Sequence, residues 1–278
     1  MDIYREVTDR IISQLENGTI PWKKPWIVCG GVVSHVTGKS YSLLNQMLLD
    51  EPGEYLTFAQ CQKEGGNVKK GAKSQIVLFW KFIEQEDEET HEKKRIPLLR
   101  YYNVFHLSQC EGLKPRHRQP LLSAASPDET AESMISAYVR QSGVKLIHER
   151  SDRAYYQSST DCVILPCMEQ FAETAEYCST AFHELTHSTG HASRLNRLTA
   201  IAHFANEEYS KEELIAEIGA AALVNAAGLE TSGSFQNSTA YIQNWIKVMR
   251  NDKRFIISAA GKAEKAVNLI LGQGLICQ

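Results

Sequence analysis

The sequence predicts an α+β fold in two domains, an N-terminal α+β domain and a C-terminal, mainly helical domain with a small sheet. At 278 residues the chain is longer than most single domains. Alternating or apolar runs over 76–83 and 98–107 are typical of paired strands. Four helical patterns, by contrast, follow one another over 168–271. A stretch with prolines and small residues over 116–127 separates the two regions, which places domains at 1–115 and 128–278.

The N-terminal region begins with a helix and continues with short mixed elements. Apolar residues at helical spacing predict the first helix over 2–17, which Asn17-Gly18 ends. The segment 21–26, Pro-Trp-Lys-Lys-Pro-Trp, excludes regular structure because each proline restricts itself and the residue before it. The further elements that we expect are a helix over 43–49, a strand over 55–57, a helix over 58–64 and a charged hairpin tip over 84–95.

The C-terminal region contains three short strands and then helices. Prolines and turn residues bound the strands, whereas longer apolar periodicity marks the helices. The predicted elements are a helix over 129–142, strands over 144–148, 154–157 and 162–165, and helices over 168–190, 210–227, 236–250 and 254–271.

The composition is that of a water-soluble protein. No run approaches the length of a membrane span and the first residues show no secretory signal, so we expect no membrane partner. The seven cysteines form no Cys-x-x-Cys pair, which favours reduced thiols and a cytoplasmic location. Residues 1–120 hold 17 Lys and Arg against 15 Asp and Glu, and residues 121–278 hold 13 against 18. A polyanion is therefore expected on the N-terminal half.

The motif with the clearest chemistry is His183-Glu184-Leu185-Thr186-His187, inside a predicted helix. Residues four apart lie on one helix face, so His183 and His187 can offer imidazole nitrogens to one metal ion. Glu184 lies one position round the helix, where it can act as the general base of a zinc peptidase. Apolar neighbours indicate a buried helix rather than a solvated one. We therefore predict a centre for Zn²⁺, or for another divalent transition metal, with Glu184 as the catalytic residue.

A catalytic zinc needs a third protein ligand and an open fourth position. Glu213 and Glu217 share one face of the next predicted helix, in an otherwise apolar stripe where a carboxylate needs a partner. In peptidases that resemble this pattern, an acid or amide follows the ligand glutamate by four residues. This favours Glu213 as the ligand and Glu217 as the acceptor of a histidine N–H, although the reverse stays open. His191, directly after Gly190, is an alternative ligand that we assign to the supporting residues.

These residues indicate a mechanism. Zinc lowers the pKa of a bound water, and Glu184 takes its proton and later gives it to the leaving amine. Tyr209, one turn before Glu213, is a candidate for stabilising the oxyanion. The alternative for Tyr209 is a half-buried aromatic residue at the entrance of the helix.

Two clusters in the N-terminal half combine aromatic and basic residues. The first lies on the proline-restricted segment, which we expect to be exposed, and contains Trp22, Lys23, Lys24 and Trp26. The second lies before and within a predicted strand and contains Lys69, Lys70, Lys73 and Trp80. Aromatic faces stack on bases and lysines neutralise phosphates, which is the chemistry of single-strand binding. The alternative is that the tryptophans fill a core and the lysines form a solvated face.

Many ordered motifs run along the chain. In the N-terminal half they are Leu15-Glu16-Asn17-Gly18, Pro21-Trp22, Pro25-Trp26, Gly38-Lys39-x-Tyr41, Asn45, Tyr55-Leu56-Thr57-Phe58, Gly65-Gly66-x-Val68-x-Lys70-Gly71 and Val104-Phe105. In the C-terminal half they are Asp161-x-Val163-x-Leu165-Pro166, His183 to His191, Arg194-Leu195, Glu212-Glu213-Leu214 and Tyr241 to Trp245. Together they resemble the ArdC antirestriction family of plasmids and other mobile elements over nearly the whole chain.

The resemblance implies an N-terminal domain that binds single-stranded DNA, with Tyr41 and Asn45 as further candidate contacts, and a C-terminal zincin-like metallopeptidase domain. It implies protection of incoming DNA from host restriction during conjugation, with single-stranded DNA and an unidentified protein substrate as partners. The chain departs from the family where Ser42-Leu43 replace Arg-Gly and where His106 replaces asparagine. Two alternatives stay open: a DNA-coating protein with a structural or inactive metal domain, and a regulatory peptidase that cleaves a repressor.

Overall fold

A computed structural model of the protein describes residues 2–24, 31–86, 93–117, 126–198, 207–229 and 239–273. Side-chain positions within these ranges are described except at 82–86, 93–97, 207–208 and 239–240. No helix in this part of the chain is both long and apolar enough to cross a lipid bilayer.

The described residues form helices and strands in the mixed order that the sequence predicts, which confirms the α+β class. The α-helices are α1 Ile3–Glu16, α2 Leu43–Leu48, α3 Phe58–Lys63, α4 Pro127–Ser142, α5 Thr174–Ser188, α6 Glu207–Ala227, α7 Thr239–Asn251 and α8 Phe255–Ile270. The strands are β1 Val32–Ser34, β2 Gly53–Thr57, β3 Asn67–Val68, β4 Gln75–Glu86, β5 Lys93–His106, β6 Cys110–Glu111, β7 Lys145–Glu149, β8 Tyr155–Gln157 and β9 Cys162–Pro166.

The chain forms two compact units, which do not coincide with the predicted division at 1–115 and 128–278. The helical unit contains the described residues of 2–24 and 126–273, and the sheet unit contains those of 31–117. The difference lies in α1 and the turn after it, which pack against α6, α7 and α8. The apolar stripe of α1, including Val7 and Ile11, is buried there, because a single amphipathic helix needs a partner to cover its apolar face.

The sheet unit is built on a four-stranded sheet of order β1-β2-β5-β4, beside a two-stranded sheet of β3 and β6. β1 and β2 are parallel, and the other pairs are antiparallel. Residues 114–117, at the start of the predicted linker, belong to this unit, since the backbone N–H groups of Arg116 and His117 donate to Glu54. Residues 118–125 of the linker lie outside the described residues.

The helical unit combines α1 and α4–α8 with a three-stranded sheet of order β7-β9-β8. β9 is buried along its whole length, as expected for the central strand of a sheet covered by helices. α5 packs against β8, β9 and α6, so the sheet supports the helix that carries the His-Glu-x-x-His motif.

Two predicted elements differ in their ends. β4 and β5 extend into the segment that was predicted as the charged hairpin tip, because their register continues to the pair Glu86 and Lys93. The predicted helix over 168–190 is a 3₁₀ turn, Met168–Gln170, followed by α5 from Thr174. The extended backbone of Glu173 separates the two.

Candidate metal centre and nucleic-acid interface

The two motif histidines lie on one face of α5, near its C-terminal end. His183 Nε2 and His187 Nε2 are 3.2 Å apart. Leu185 and Phe182 are fully buried on the other side of the helix, so the four-residue spacing turns both imidazoles toward α6. Glu184, between them in sequence, is only 7% exposed.

Glu213 of α6 completes the cluster. Its Oε2 lies 3.6 Å from His183 Nε2, and its Oε1 lies 3.4 Å from His187 Nε2. One ligand atom from each of the three residues can be chosen so that all lie within 4.8 Å of one another. Ligand atoms about 2.1 Å from a tetrahedral ion are roughly 3.4 Å apart. The three side chains therefore fit one divalent ion, and the geometry favours Glu213 over Glu217 as the third ligand.

A glycine allows α6 to approach α5 closely enough for this cluster. A Cβ atom on Gly219 would lie 2.7 Å from Cγ2 of Thr186, which is fully buried. The hydroxyl of Thr186 donates to the carbonyl of Phe182 at 2.7 Å, which fixes the threonine on α5. Any side chain at position 219 would therefore push apart the two helices that carry the ligands.

Glu212, next to Glu213 in sequence, contacts the second histidine. Its Oε1 lies 3.3 Å from Nδ1 of His187, on the opposite side of the ring from Glu213. The guanidinium of Arg197 donates to Glu212 at 2.7–3.2 Å, and also to the carbonyl of Thr186 and the hydroxyl of Thr189. Such a contact fixes the tautomer and the ring plane of a metal-binding histidine.

The sequence did not predict Glu212 and Arg197 in this role. The available signal was the Glu212-Glu213 pair: two acids on a helix that is otherwise buried require two separate partners. The arginine lies fifteen residues earlier, in an irregular segment, where no periodicity points to it.

Glu217 faces the first histidine, with its Oε1 3.7 Å from Nδ1 of His183. Burial raises the pKa of Glu217, while the charges of His183 and Lys23 partly lower it. Lys23, predicted to contact DNA, thus lies close to the metal centre in the helical unit, and burial lowers its pKa despite the charge of Glu217.

The electrostatics of the cluster are those of tightly paired charges. Burial lowers the pKa of His187, but its contacts with Glu212 and Glu213 outweigh this and raise the pKa to about 10. Burial raises the pKa of Glu213, but the two histidines hold it well below its usual range. Burial also raises the pKa of Tyr209, whose hydroxyl is hydrogen-bonded to Glu213 and Tyr241. Tyr209 therefore adjoins the cluster through Glu213.

His191 lies past the end of α5 and outside the cluster. Its Nδ1 is 2.8 Å from the hydroxyl of Ser193. The turn that carries it is held by Arg194, whose guanidinium binds the carboxylate of Asp161 and whose Nε donates to the carbonyl of Ser188. The described contacts therefore give His191 a place in this turn and no contact with the ligands.

Trp22 is not on an exposed loop, so that prediction is wrong for this residue. It is 1% exposed, and its ring lies edge-on to Trp245 at 5.8 Å. Trp22 is therefore a core residue of the helical unit with no free face for a base, which is one of the two alternatives that the sequence left open. Lys24 is partly exposed in the same unit. Trp26 lies outside the described residues.

Tyr41 and Asn45 are both buried in the sheet unit. The side chain of Asn45 accepts the N–H of Leu78 at 2.7 Å and donates to its carbonyl at 2.8 Å, which joins α2 to β4. Burial raises the pKa of Tyr41 to about 12, and its ring contacts Phe79 at 6.2 Å. Both residues thus support β4 from the inside of the sheet unit, and their side chains are not free to contact DNA directly.

The remaining predicted DNA contacts are exposed in the sheet unit. Lys69, Lys70 and Lys73 lie in the turn before β4, where the Nζ of Lys69 donates to the carbonyl of Ser108 at 2.8 Å. Trp80 is 44% exposed on β4. Four of the ten predicted DNA contacts are thus exposed in the turn before β4 or on β4 itself.

The two faces of the β4–β5 hairpin carry different side chains. Alternation along the strands and their register place Phe79, Lys81, Arg100 and Tyr102 on one side, which we call the charged face. They place Trp80, Leu99 and Tyr101 on the other side, which we call the neutral face. The sequence pointed to Trp80 but not to the four residues of the charged face, because alternation along β4 alone does not give the register that places residues of β5 on the same face.

The fold and this centre define a protein with a zincin-like, metal-binding helical unit and a separate sheet unit. A model of zincin-like metallopeptidases matches residues 133–262, and a model of the N-terminal domain of the anti-restriction factor ArdC matches residues 1–105. Crystal structures of the antirestriction ArdC protein from plasmid R388 are similar over nearly the full length. The metal-free structure has a TM-score of 0.77 at 36% identity and covers 97% of each chain. The Mn(II)-bound structure has a TM-score of 0.79 at 33% identity and covers 100% of each chain.

The chain belongs to the ArdC antirestriction family, as its motifs predicted. It is also 35% identical over 96% of its length to a DNA primase TraC of Escherichia coli, but it spans only 27% of that protein. It spans 19% of a second TraC primase from the same species, at 34% identity. The uncharacterized protein y4eC of Sinorhizobium fredii is 29% identical, and the chain covers 92% of it.

Proposed function

We propose that this chain is an antirestriction protein of a mobile element, which binds single-stranded DNA through the sheet unit and carries a metal-dependent peptidase site in the helical unit. The observation that carries the proposal is the convergence of His183, His187 and Glu213, with Glu184 buried beside them. A purely structural metal would have no use for a general base at this position.

The ligand set suits Zn²⁺, because two imidazoles and one carboxylate leave a fourth position open. Mn(II) is the ion in the related ArdC structure from plasmid R388, and the same three residues are chemically able to hold it. A bound divalent ion would supply Lewis acidity at the open position. Glu212 and Arg197 would hold the ring of His187 in place, and Glu217 would face the ring of His183.

The remaining chemistry belongs to the side chains of the chain itself. Glu184 would take a proton from water on its carboxylate and give it to the leaving amine. Its charge already acts on the neighbouring imidazole, since it contributes to the raised pKa of His187. Tyr209, through its hydroxyl on Glu213, would keep that carboxylate directed at the cluster.

For the sheet unit, exposed lysines and aromatic rings support single-strand binding. Lys70 and Lys73 precede β4, and β4 and β5 expose Phe79, Trp80, Tyr101 and Tyr102. Cations contribute salt-dependent affinity for phosphates, and flat rings stack on bases that are not paired. We expect affinity for single over double strands, weakening as salt rises.

Three variants of the full chain separate the peptidase from the other candidate functions. Glu184→Gln keeps all three ligands and removes the base, His183→Ala removes a ligand, and Glu176→Gln is a matched control on the same helix, outside the cluster. The measurements are Zn²⁺ and Mn²⁺ binding by calorimetry and the efficiency of plasmid transfer into a restricting relative to a non-restricting host.

The peptidase proposal expects Glu184→Gln to bind metal normally and to lose protection as completely as His183→Ala, because a general base contributes roughly 10²- to 10⁴-fold to a rate. Loss of protection in His183→Ala but not in Glu184→Gln would indicate that the metal has a structural role. Full protection by both variants would assign the role to DNA coating and overturn the peptidase account.

A further inference from the structure

We infer that the charged face of the β4–β5 hairpin, and not its neutral face, is the surface on which single-stranded nucleic acid stacks. This inference rests on the proposed DNA binding and names its site. Phe79 and Tyr102 would each stack on an unpaired base, and Lys81 and Arg100 would contact the phosphates between them.

Exposure does not distinguish the two faces, but the arrangement of the rings does. Phe79 is 37% and Tyr102 51% exposed, against 44% for Trp80 and 43% for Tyr101. On the charged face the two rings are 5.6 Å apart and edge-to-face, and Phe79 also rests on the buried ring of Tyr41. A ring held by its neighbours loses little freedom when a base stacks on it, so this pair is preorganised.

Charge separates the faces more sharply. Arg100 lies directly opposite Phe79 in the register, and Lys81 follows Phe79 by two residues on the same side. Both cations are exposed, and within the described part of the chain neither has a carboxylate partner. The described neutral-face positions of β4 and β5, which run over 76–80 and 99–103, carry no charged side chain. Single-strand sites combine a basic track with stacking rings, and the charged face alone has both.

The test compares the two faces of the same two strands in the full chain. The double variant Phe79→Leu, Tyr102→Leu removes both stacking rings of the charged face and keeps apolar packing on Tyr41. The matched control is Trp80→Leu, Tyr101→Leu on the neutral face. A third variant, Lys81→Gln, Arg100→Gln, leaves all rings in place. Anisotropy of a fluorescein-labelled oligo-dT, titrated at several salt concentrations, gives the affinity, and thermal melting checks the fold.

We expect the charged-face ring variant to bind at least about tenfold more weakly, and the neutral-face control to change by less than about twofold. The cation variant should lower the slope of log affinity against log salt by roughly 0.7 for each phosphate that is no longer neutralised.

A larger loss in the neutral-face control, or equal losses in both ring variants, would overturn the assignment while single-strand binding itself stands. An unchanged salt slope in the cation variant would also count against the charged face. Failure of the unmodified chain to prefer oligo-dT over a duplex of the same length would instead overturn the proposed DNA binding.

Discussion

The helical unit and the sheet unit place charged side chains in opposite environments. Around the metal centre, Glu212, Glu213 and Glu217 are at most 15% exposed, and each faces an imidazole. On the β4–β5 hairpin, Lys81 and Arg100 are exposed and have no carboxylate partner among the described residues. Burial with a partner fixes geometry, whereas exposure without one leaves a charge available to a ligand. The two units thus suit a preorganised centre and an open binding surface respectively.

The tryptophans give the sharpest test of this contrast, because Trp22 is 1% and Trp80 44% exposed. Trp22→Ala should lower the free energy of unfolding by about 3–5 kcal/mol, since it removes a core ring that packs on Trp245. Trp80→Ala should change it by less than about 0.5 kcal/mol. Urea unfolding followed by circular dichroism measures both. Equal losses of unfolding free energy in the two variants would contradict the assignment of Trp22 to a core and of Trp80 to an open surface.

A buried charge network should also be costly to break. Arg197→Met removes the guanidinium from Glu212 and leaves that carboxylate with His187 alone. We expect a loss of about 3 kcal/mol in unfolding free energy, because a buried ion keeps its desolvation cost when its partner is removed. Metal affinity should fall as well, as His187 loses its fixed orientation.

The control for Arg197 is an exposed ion pair in the same unit, Arg250 with Glu16, whose side chains are 63% and 47% exposed. Arg250→Met should cost less than about 1 kcal/mol. If both arginine variants lose the same stability, the buried network around Glu212 is not what holds the centre together.

Sequence alone was sufficient where spacing along one helix sets the geometry. His183, Glu184 and His187 occupy the same helix, so their relative positions follow from the helical repeat. Glu213 needed one more step, a second helix with carboxylates on its buried face. Glu212 and Arg197 were not accessible in this way, because their contact joins α6 to an irregular segment and depends on tertiary packing.

The same limit explains the N-terminal region. The pattern of Trp22, Lys23 and Lys24 was consistent with either a DNA-binding loop or a core, and composition could not decide. The structure places Trp22 in the helical unit, because α1 and the following turn are needed to cover α6, α7 and α8. The charged face was equally inaccessible: strand alternation groups residues by face, but only the pairing of β4 with β5 adds Arg100 and Tyr102 to Phe79.

A smaller effect is expected from the glycine between the two ligand helices. Gly219→Ala should destabilise the helical unit by about 2 kcal/mol and weaken metal binding, because its Cβ would clash with buried Thr186. Gly261→Ala, in α8, is the control: nothing lies within 4 Å of its Cβ, so alanine should be neutral or slightly stabilising there. Thermal melting and calorimetric metal titration give the two readouts. Unchanged metal affinity in Gly219→Ala would show that close helix approach does not set the ligand geometry.

Glu54 is a buried charge in the sheet unit, in contrast to the exposed cations of the β4–β5 hairpin. It is 5% exposed, accepts the N–H groups of Arg116 and His117, and lies 2.5 Å from Nδ1 of His35. Burial raises the pKa of Glu54, but these donors outweigh it and hold the pKa below its usual value. A carboxylate with a lowered pKa in the folded state stabilises the fold above its unfolded-state pKa, and this contribution disappears as the pH falls through the folded-state value.

Glu54→Gln should therefore cost about 1.5 kcal/mol of unfolding free energy at neutral pH. The difference from the unmodified chain should stay constant down to the ordinary glutamate pKa of 4.5 and shrink below it, because both proteins then carry an uncharged group at this position. Glu51→Gln, three residues away with a side chain 65% exposed, should show no such convergence. Urea unfolding over a pH series measures both differences. If the difference in unfolding free energy between Glu54→Gln and the unmodified chain persists at low pH, the shape of the side chain, and not its charge, holds residues 116–117 against β2. The charge of Glu54 would then not stabilise the sheet unit.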